Sequence, residues 1–361
     1  MNWIGQQHIK IKNTVTNWRQ RFKACQTQQI FGLDIGTSAI KIVQLCKNEN
    51  GYAVTAAGIA YVDDLSPGKE INISKAIRQC LHSAAMQTKL AVCGVCGQDT
   101  AVRYFTFPAL MPEEIEGAIK FEAKQVCPFN TDDGVTDYQV ISSSEKEIQG
   151  YLVVATSKLI KEKIRFVKES ELDSVLMDVD GLALVNCLRN CQEIQDGQTA
   201  AILNVGSSYT TLAIISGDNL PFVRDLNYAG KSFIEHLALQ NEVSPETVEE
   251  ILRGGANQDN RLAIRENLEM ACQKLVTNVT ETLYYDAVRR KSEIVDKVFL
   301  CGGFALVDGF VDLMKSKLPA ETLLWNPFDK KHFEVSAPFA DLLREKGPAF
   351  AVAAGLAMRQ I

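Results

Sequence analysis

The chain has 361 residues, of which 46% are hydrophobic and 23% charged, enough for two domains with cores of their own. Its net charge of −6 argues against nucleic acid as the main partner. The first 30 residues carry +5, through Lys10, Lys12, Arg19, Arg21 and Lys23, so the remainder sums to −11. No secretory signal is read near the start, and the ten cysteines lie scattered among apolar residues, so a reducing compartment and free thiols are expected.

Residues 1–29 read as a basic extension. Ile4, Ile11, Val15, Trp18 and Phe22 fall on one helical stripe, which fits either an amphipathic segment facing anionic lipid or a flexible arm. Three strand-like runs follow: "IFGLDI", "AIKIVQLC" and "YAVTAAGIA". Apolar spacing predicts a helix over 72–87. The runs "LAVCGVC" and "TAVRYFTFP" read as strands.

A helix is predicted from Met111 to about Val126. Pro112 sits in its first turn, Glu113 and Glu114 suit the helix dipole, and Pro128 stops it. Strands near 136–142 and 149–156, a helix over 157–170 and a strand over 173–179 complete the first half.

The second half opens in the same style. Thr199 to Gly217 is uncharged and about as long as a membrane span, but the polar residues at its middle favour a β-hairpin. A third strand lies within "NLPFVRDLNY", and helices are predicted at about 230–240, 244–253 and 259–290. "DKVFLCGG" reads as a strand, "VDGFVDLMKSKL" as a helix, "LLWNP" as a short strand and "GPAFAVAAGLAMR" as a closing helix. Two α/β halves, each opening on a glycine-turned hairpin and a third strand, form a repeat of architecture with a cleft expected between them.

Three motifs carry chemistry. In "DIGTSAIK", Asp34 ends a strand, Gly36 permits a tight turn with N–H groups facing an anion, and Thr37 and Ser38 add hydroxyls. Lys41, on the returning strand, supplies a point charge for a phosphate, and Asp34 suits a water-mediated contact to Mg²⁺. In "NVGSSYT", Asn204, Gly206, Ser207, Ser208 and Thr210 repeat that polar-x-Gly turn. Gly302 and Gly303 in "LCGGF" let backbone approach a flat ligand.

Hairpin, hairpin and strand–Gly-Gly, in that order, resemble the actin-like ATPase superfamily, which includes actin, heat-shock chaperone nucleotide domains, sugar kinases and FtsA. The resemblance implies an α/β actin-like fold. It makes the two turns phosphate loops and "LCGGF" an adenosine motif, with Phe304 at the place of a frequent third glycine. It implies ATP or ADP with Mg²⁺ as cofactors. Asp180 falls where a residue orienting the attacking water sits. Asn204 replaces the aspartate usual in the second loop, so nucleotide holding with slow or no hydrolysis is expected.

A closer resemblance lies in "FPALMPEEIEGAIKFEAKQVCPFNTDDGVTDYQVI", "MDVDGLALVN" and "PAFAVAAGLAMR". These are similar to PilM-like proteins of type IV pilus assembly, over about 30–361. On this basis 30–98 with 172–197 form a first actin-like half, 99–171 an inserted FtsA/PilM-type α+β subdomain, and 198–361 a second half. The resemblance implies a cytoplasmic scaffold, peripheral to the inner membrane, that grips the N-terminal cytoplasmic peptide of a PilN-like bitopic membrane protein and meets other pilus components. The strand around Arg103–Phe107 and helix 113–125 are the expected peptide surface. An ATP-hydrolysing enzyme of the superfamily and an FtsA-like polymer are the alternatives. The latter usually carries an amphipathic helix after its last domain, which is not read after the closing helix here.

Cys93 and Cys96 form a CxxC, but no further ligand pair accompanies it, so buried thiols are expected rather than zinc or redox chemistry. Glu113, Glu114, Glu116 and Glu122 read as a solvated helix face.

Overall fold

The computed structural model describes residues 30–359, apart from 49–50, 63–68, 192–193, 195–196, 218–219, 255–260, 292–293 and 330–332. The basic extension 1–29 therefore lies outside the described residues. The chain divides into two compact units. The first holds most of 30–183 and returns for 352–359, and the second holds 184–351.

The first unit opens with an antiparallel meander, β1 (Phe31–Ile35), β2 (Ala39–Asn48) and β3 (Gly51–Tyr61). Helix α1 (Lys69–Ser83) leads to β4 (Leu90–Val95), which joins β1 in parallel. A small antiparallel sheet follows, ordered β5-β7-β6, from β5 (Thr100–Pro108), β6 (Gly134–Ser143) and β7 (Glu147–Thr156). Helix α2 (Pro112–Val126) covers it, placing Ile119 and Ala123 against Phe105, Ile148, Leu152 and Val154. Glu114 caps that helix by accepting from the Met111 N–H at 2.9 Å, and Glu116 pairs with Lys120 at 3.1 Å on the exposed side. Helix α3 (Ser157–Glu169) returns to the large sheet, where β8 (Asp173–Val179) joins β4 in parallel. The strand order of the large sheet within this unit is β3-β2-β1-β4-β8.

The chain passes to the second unit within α4 (Asp180–Asn190). There β9 (Thr199–Val205), β10 (Thr210–Ser216) and β11 (Phe222–Leu226) form a second meander. Thr199 to Gly217 is thus a hairpin, and among the described residues no helix is long and apolar enough to cross a membrane. Helices α5 (Gly230–Asn241), α6 (Pro245–Leu252) and α7 (Arg261–Arg290) follow. Then β12 (Lys297–Cys301) joins β9 in parallel, and β13 (Glu321–Leu324), after α8 (Phe310–Lys317), joins β12. The order β11-β10-β9-β12-β13 repeats that of the first unit, third strand to first, then fourth and fifth, which bears out the internal repeat. The core of this unit gathers Leu203, Leu212, Phe233, Leu275, Leu283, Leu300 and Phe310 around α7. Asp286, fully buried on α7, is held by Arg289 at 3.0 Å and Arg290 at 2.6 Å.

One helix went unread in the sequence, α9 (Ala337–Lys346). The closing helix is shorter than expected. A 3₁₀ turn takes residues 347–350, where Pro348 withholds an N–H, and α10 (Ala351–Ala357) follows. Its sequence, AVAAGLA, has side chains small enough to let its backbone lie against β1. A Cβ at Gly32 would stand 2.0 Å from the Ala353 carbonyl oxygen and 2.7 Å from the Ala357 nitrogen. Gly355 faces Ala183 of α4 just as closely, at 2.0 Å from its carbonyl.

Gly32→Ala therefore lowers stability by about 3 kcal/mol, the upper range for overpacking, because the obstacle is backbone. Gly117→Ala in α2, with nothing within 4 Å of its new methyl, raises stability by about 0.5–1 kcal/mol. Urea unfolding of both variants checks the contrast.

Candidate functional site: two glycine turns and a glycine pair

In the first unit, Asp34 and Lys41 face each other across the β1–β2 register. The Lys41 ammonium donates to Asp34 Oδ2 at 2.6 Å, with 14% and 13% of the side chains exposed. A carboxylate and an ammonium on adjacent strands, one residue from the turn, hold that turn's mouth rigid. Gly36 is pressed against the chain's return, since a Cβ there would lie 2.7 Å from the Ala39 carbonyl oxygen. Thr37 and Ser38 are partly exposed beside it.

A third charge reaches this turn from the other side. Lys163 on α3 donates to the Ile35 carbonyl at 2.8 Å. Sequence reading missed it, because 128 residues separate the partners.

Asp180, the first residue of α4, is 7% exposed. Its Oδ1 lies over Gly94 of β4, 2.0 Å from where a Cβ would be, so Gly94 makes room for the carboxylate. Two residues earlier, Asp178 receives both arms of Arg359, Nη2 to Oδ1 at 2.6 Å and Nε to Oδ2. Burial alone would lower the pKa of this guanidinium, and the adjacent Asp178 carboxylate more than offsets it, leaving the pKa raised. The pair ties the end of α10 to the β8–α4 junction, and so steadies the ground on which Asp180 stands.

In the second unit, Gly206 forms the matching turn. Its N–H donates to the Tyr209 carbonyl at 3.0 Å, and the carbonyls of Gly206 and Ser207 accept from Gly230 and Lys231 at the start of α5. The turn is therefore seated on a helix N-terminus. Ser207 and Ser208 are partly exposed. Thr210 is fully buried, and its hydroxyl donates to the Tyr228 carbonyl at 2.9 Å, so its side chain braces the hairpin from within. Asn204 Oδ1 accepts from the Cys301 thiol at 3.8 Å.

The glycine pair follows β12 directly. Gly302 has φ +93°, and a Cβ there would meet the Val205 carbonyl at 2.4 Å, so conformation and space both demand glycine. Gly303 has nothing within 4 Å of its absent Cβ, leaving its backbone open to a flat ligand. Phe304 is turned the other way. Its ring packs edge-on to Phe233 and Phe310, at 4.8 and 5.0 Å between centroids, inside the core. The ring that stands at the place of a frequent third glycine is thus taken up by core packing.

A family model described as type IV pilus assembly protein PilM matches residues 32–361. The chain belongs to the PilM family. Among solved structures, this PilM-family chain is similar to one described as a PilM-PilN type IV pilus biogenesis complex. That match has 23% identity and a TM-score of 0.79, covering 92% of this chain and 98% of that one. It is more distantly similar to the ethanolamine utilization protein EutJ from Carboxydothermus hydrogenoformans, at 14% identity and TM-score 0.53 over 92% and 90% of the two chains. A diol dehydratase-reactivating factor in nucleotide-free form matches at 11% and 0.53, over 91% and 99%. The fold is that of the actin-like ATPases.

No group of three or more His, Cys, Asp or Glu able to hold a metal occurs among the described residues, and neither Cys93 nor Cys96 is in a disulfide. Burial pushes the thiols of Cys80 and Cys272 up to about 12 and that of Cys93 up to about 11. Their thiolate fraction at pH 8 is accordingly small. Iodoacetamide at that pH, read by peptide mass mapping, modifies exposed Cys46 and spares Cys80, Cys93 and Cys272 until denaturant is added. Arg359→Met strands a buried carboxylate and costs about 3–5 kcal/mol. Adding Asp178→Asn recovers part of that loss in thermal unfolding.

Proposed function

We propose that the chain is a nucleotide-binding scaffold of type IV pilus assembly. The Asp34–Lys41 pair at the mouth of the Gly36 turn carries this reading. A lysine held within a strand pair, beside a glycine turn, is a fixed cation suited to a phosphate oxygen. The Gly206 turn and the open backbone at Gly303 repeat the same provision for a phosphate and a flat base.

ATP or ADP is the nucleotide proposed. Its Mg²⁺ would be met through water at Asp34, whose Oδ1 is not spent on Lys41. One carboxylate, with no acidic cluster beside it among the described residues, makes a weak metal site, so the ion would come with the phosphates rather than before them. Mg²⁺, when bound, would supply neutralisation of phosphate charge. In this reading Lys41 positions the phosphate and Asp180 accepts a hydrogen bond from water. With an amide at Asn204 where a second carboxylate is usual, this protein holds nucleotide and turns it over slowly or not at all.

Membership of the PilM family also supports a PilN-like partner, a bitopic inner-membrane protein contributing an N-terminal cytoplasmic peptide. The scaffold is accordingly placed at the cytoplasmic face of that membrane, within reach of other pilus components. The proposed docking surface is the small sheet, where β5 is an outer strand able to pair with an extended peptide and α2 offers exposed Phe121.

Titration calorimetry with ADP and ATP tests the site. Saturable binding by the full chain and a loss of about tenfold or more in Lys41→Ala, with melting otherwise retained, are the expected results. A wild-type chain that takes up neither nucleotide refutes the reading.

A further inference from the structure

Asn204 and Cys301 end their strands side by side, paired in the parallel β9–β12 register. The Cys301 thiol donates to Asn204 Oδ1 at 3.8 Å. That same oxygen lies 2.7 Å from the place a Gly302 Cβ would take, so it is seated against α-carbon hydrogens of a residue that has to be glycine. Burial pushes the Cys301 thiol well above its ordinary pKa, which keeps it a hydrogen donor. Two donors, one weak and one very weak, thus face the oxygen and set the amide's orientation. The other branch of the amide, Nδ2, makes no hydrogen bond to a described residue and is not among the buried polar atoms lacking one. Asn204 as a whole is partly exposed.

The chemical sense of the second turn is thereby reversed. An acceptor at this position meets a phosphate only through an intervening cation or water, because two anionic oxygens repel. An amide N–H₂ meets a phosphate oxygen directly. We propose that Asn204 is a direct hydrogen-bond donor to the nucleotide's phosphates, so that this turn binds a nucleoside di- or triphosphate without a metal ion between them. The proposal rests on the nucleotide reading above and adds its own consequence, which is that affinity depends little on Mg²⁺.

The test is nucleotide affinity of the full chain in EDTA and in excess Mg²⁺. Wild type is expected to bind ADP with affinities within about threefold of each other in the two conditions. Asn204→Asp is expected to bind about tenfold or more weakly in EDTA and to regain affinity with Mg²⁺, as one charge-assisted hydrogen bond becomes a repulsion. Asn204→Ala should lose about fivefold or more equally in both conditions, and covers the case of a poorly folded aspartate variant. A tenfold loss by wild type on removing Mg²⁺, or the same Mg²⁺ response in Asn204→Asp as in wild type, overturns the donor role while leaving nucleotide binding intact. Absence of any binding by wild type in both conditions removes the underlying reading together with this one.

Discussion

The first unit is organised by a contact between backbones. Helix α10 lies on β1 at Gly32 and on α4 at Gly355, with no side chain between the chains at either point. Close approach of this kind gains many weak dispersion contacts but leaves no tolerance, since each methyl added would displace a whole helix. Everything the site needs from this unit follows from that seat. With α10 down, Arg359 reaches Asp178 and the β8–α4 junction is tied. With α4 placed, Asp180 enters the space that Gly94 leaves open. The strand that carries the seat also carries Asp34, three residues before Thr37 of the Gly36 turn, so helix packing and loop position share one piece of chain.

The two turns match in backbone and differ in charge. The first is ringed by Asp34, Lys41 and Lys163, two cations and one anion within hydrogen-bond reach of the same few residues. Partial burial makes such charges count for more than they would on an open surface. The second turn has no ionised side chain of its own. Its dipoles are spent on seating, with α5 receiving its carbonyls and Cys301 its asparagine oxygen. Within the repeat, then, one turn is of net positive character and the other is neutral, and neither turn carries the paired carboxylates that ordered metal and activated water call for.

Much of this was visible in the residues, for definite reasons. Hairpins around Gly36 and Gly206 announce themselves because apolar runs of strand length flank a short polar turn. Their repetition, with a strand ending in Gly-Gly downstream, was enough to name the fold. Side-chain direction was not visible. Thr210 sits where a hydroxyl ligand was expected, yet it points into the protein, because the second half of the hairpin turns that face inward. Phe304 went to the core for want of any spacing rule inside a 3₁₀ turn. Asp178 and Arg359 are 181 residues apart, and no local pattern relates them.

The return of residues 352–359 to the first unit also orders events in time. A chain emerging from the ribosome exposes β1, β2 and β4 early, but the helix that covers Gly32 is made only after the whole of the 184–351 segment. The second unit, continuous from Leu184 to Ala351, has all its strands and its long central helix in hand before then. It is therefore the part able to fold first, while the first unit keeps an uncovered apolar sheet until residues 352–359 have been made and must close by a contact of very long sequence separation. The unit begun first is finished second, and damage to residues 352–359 falls on it.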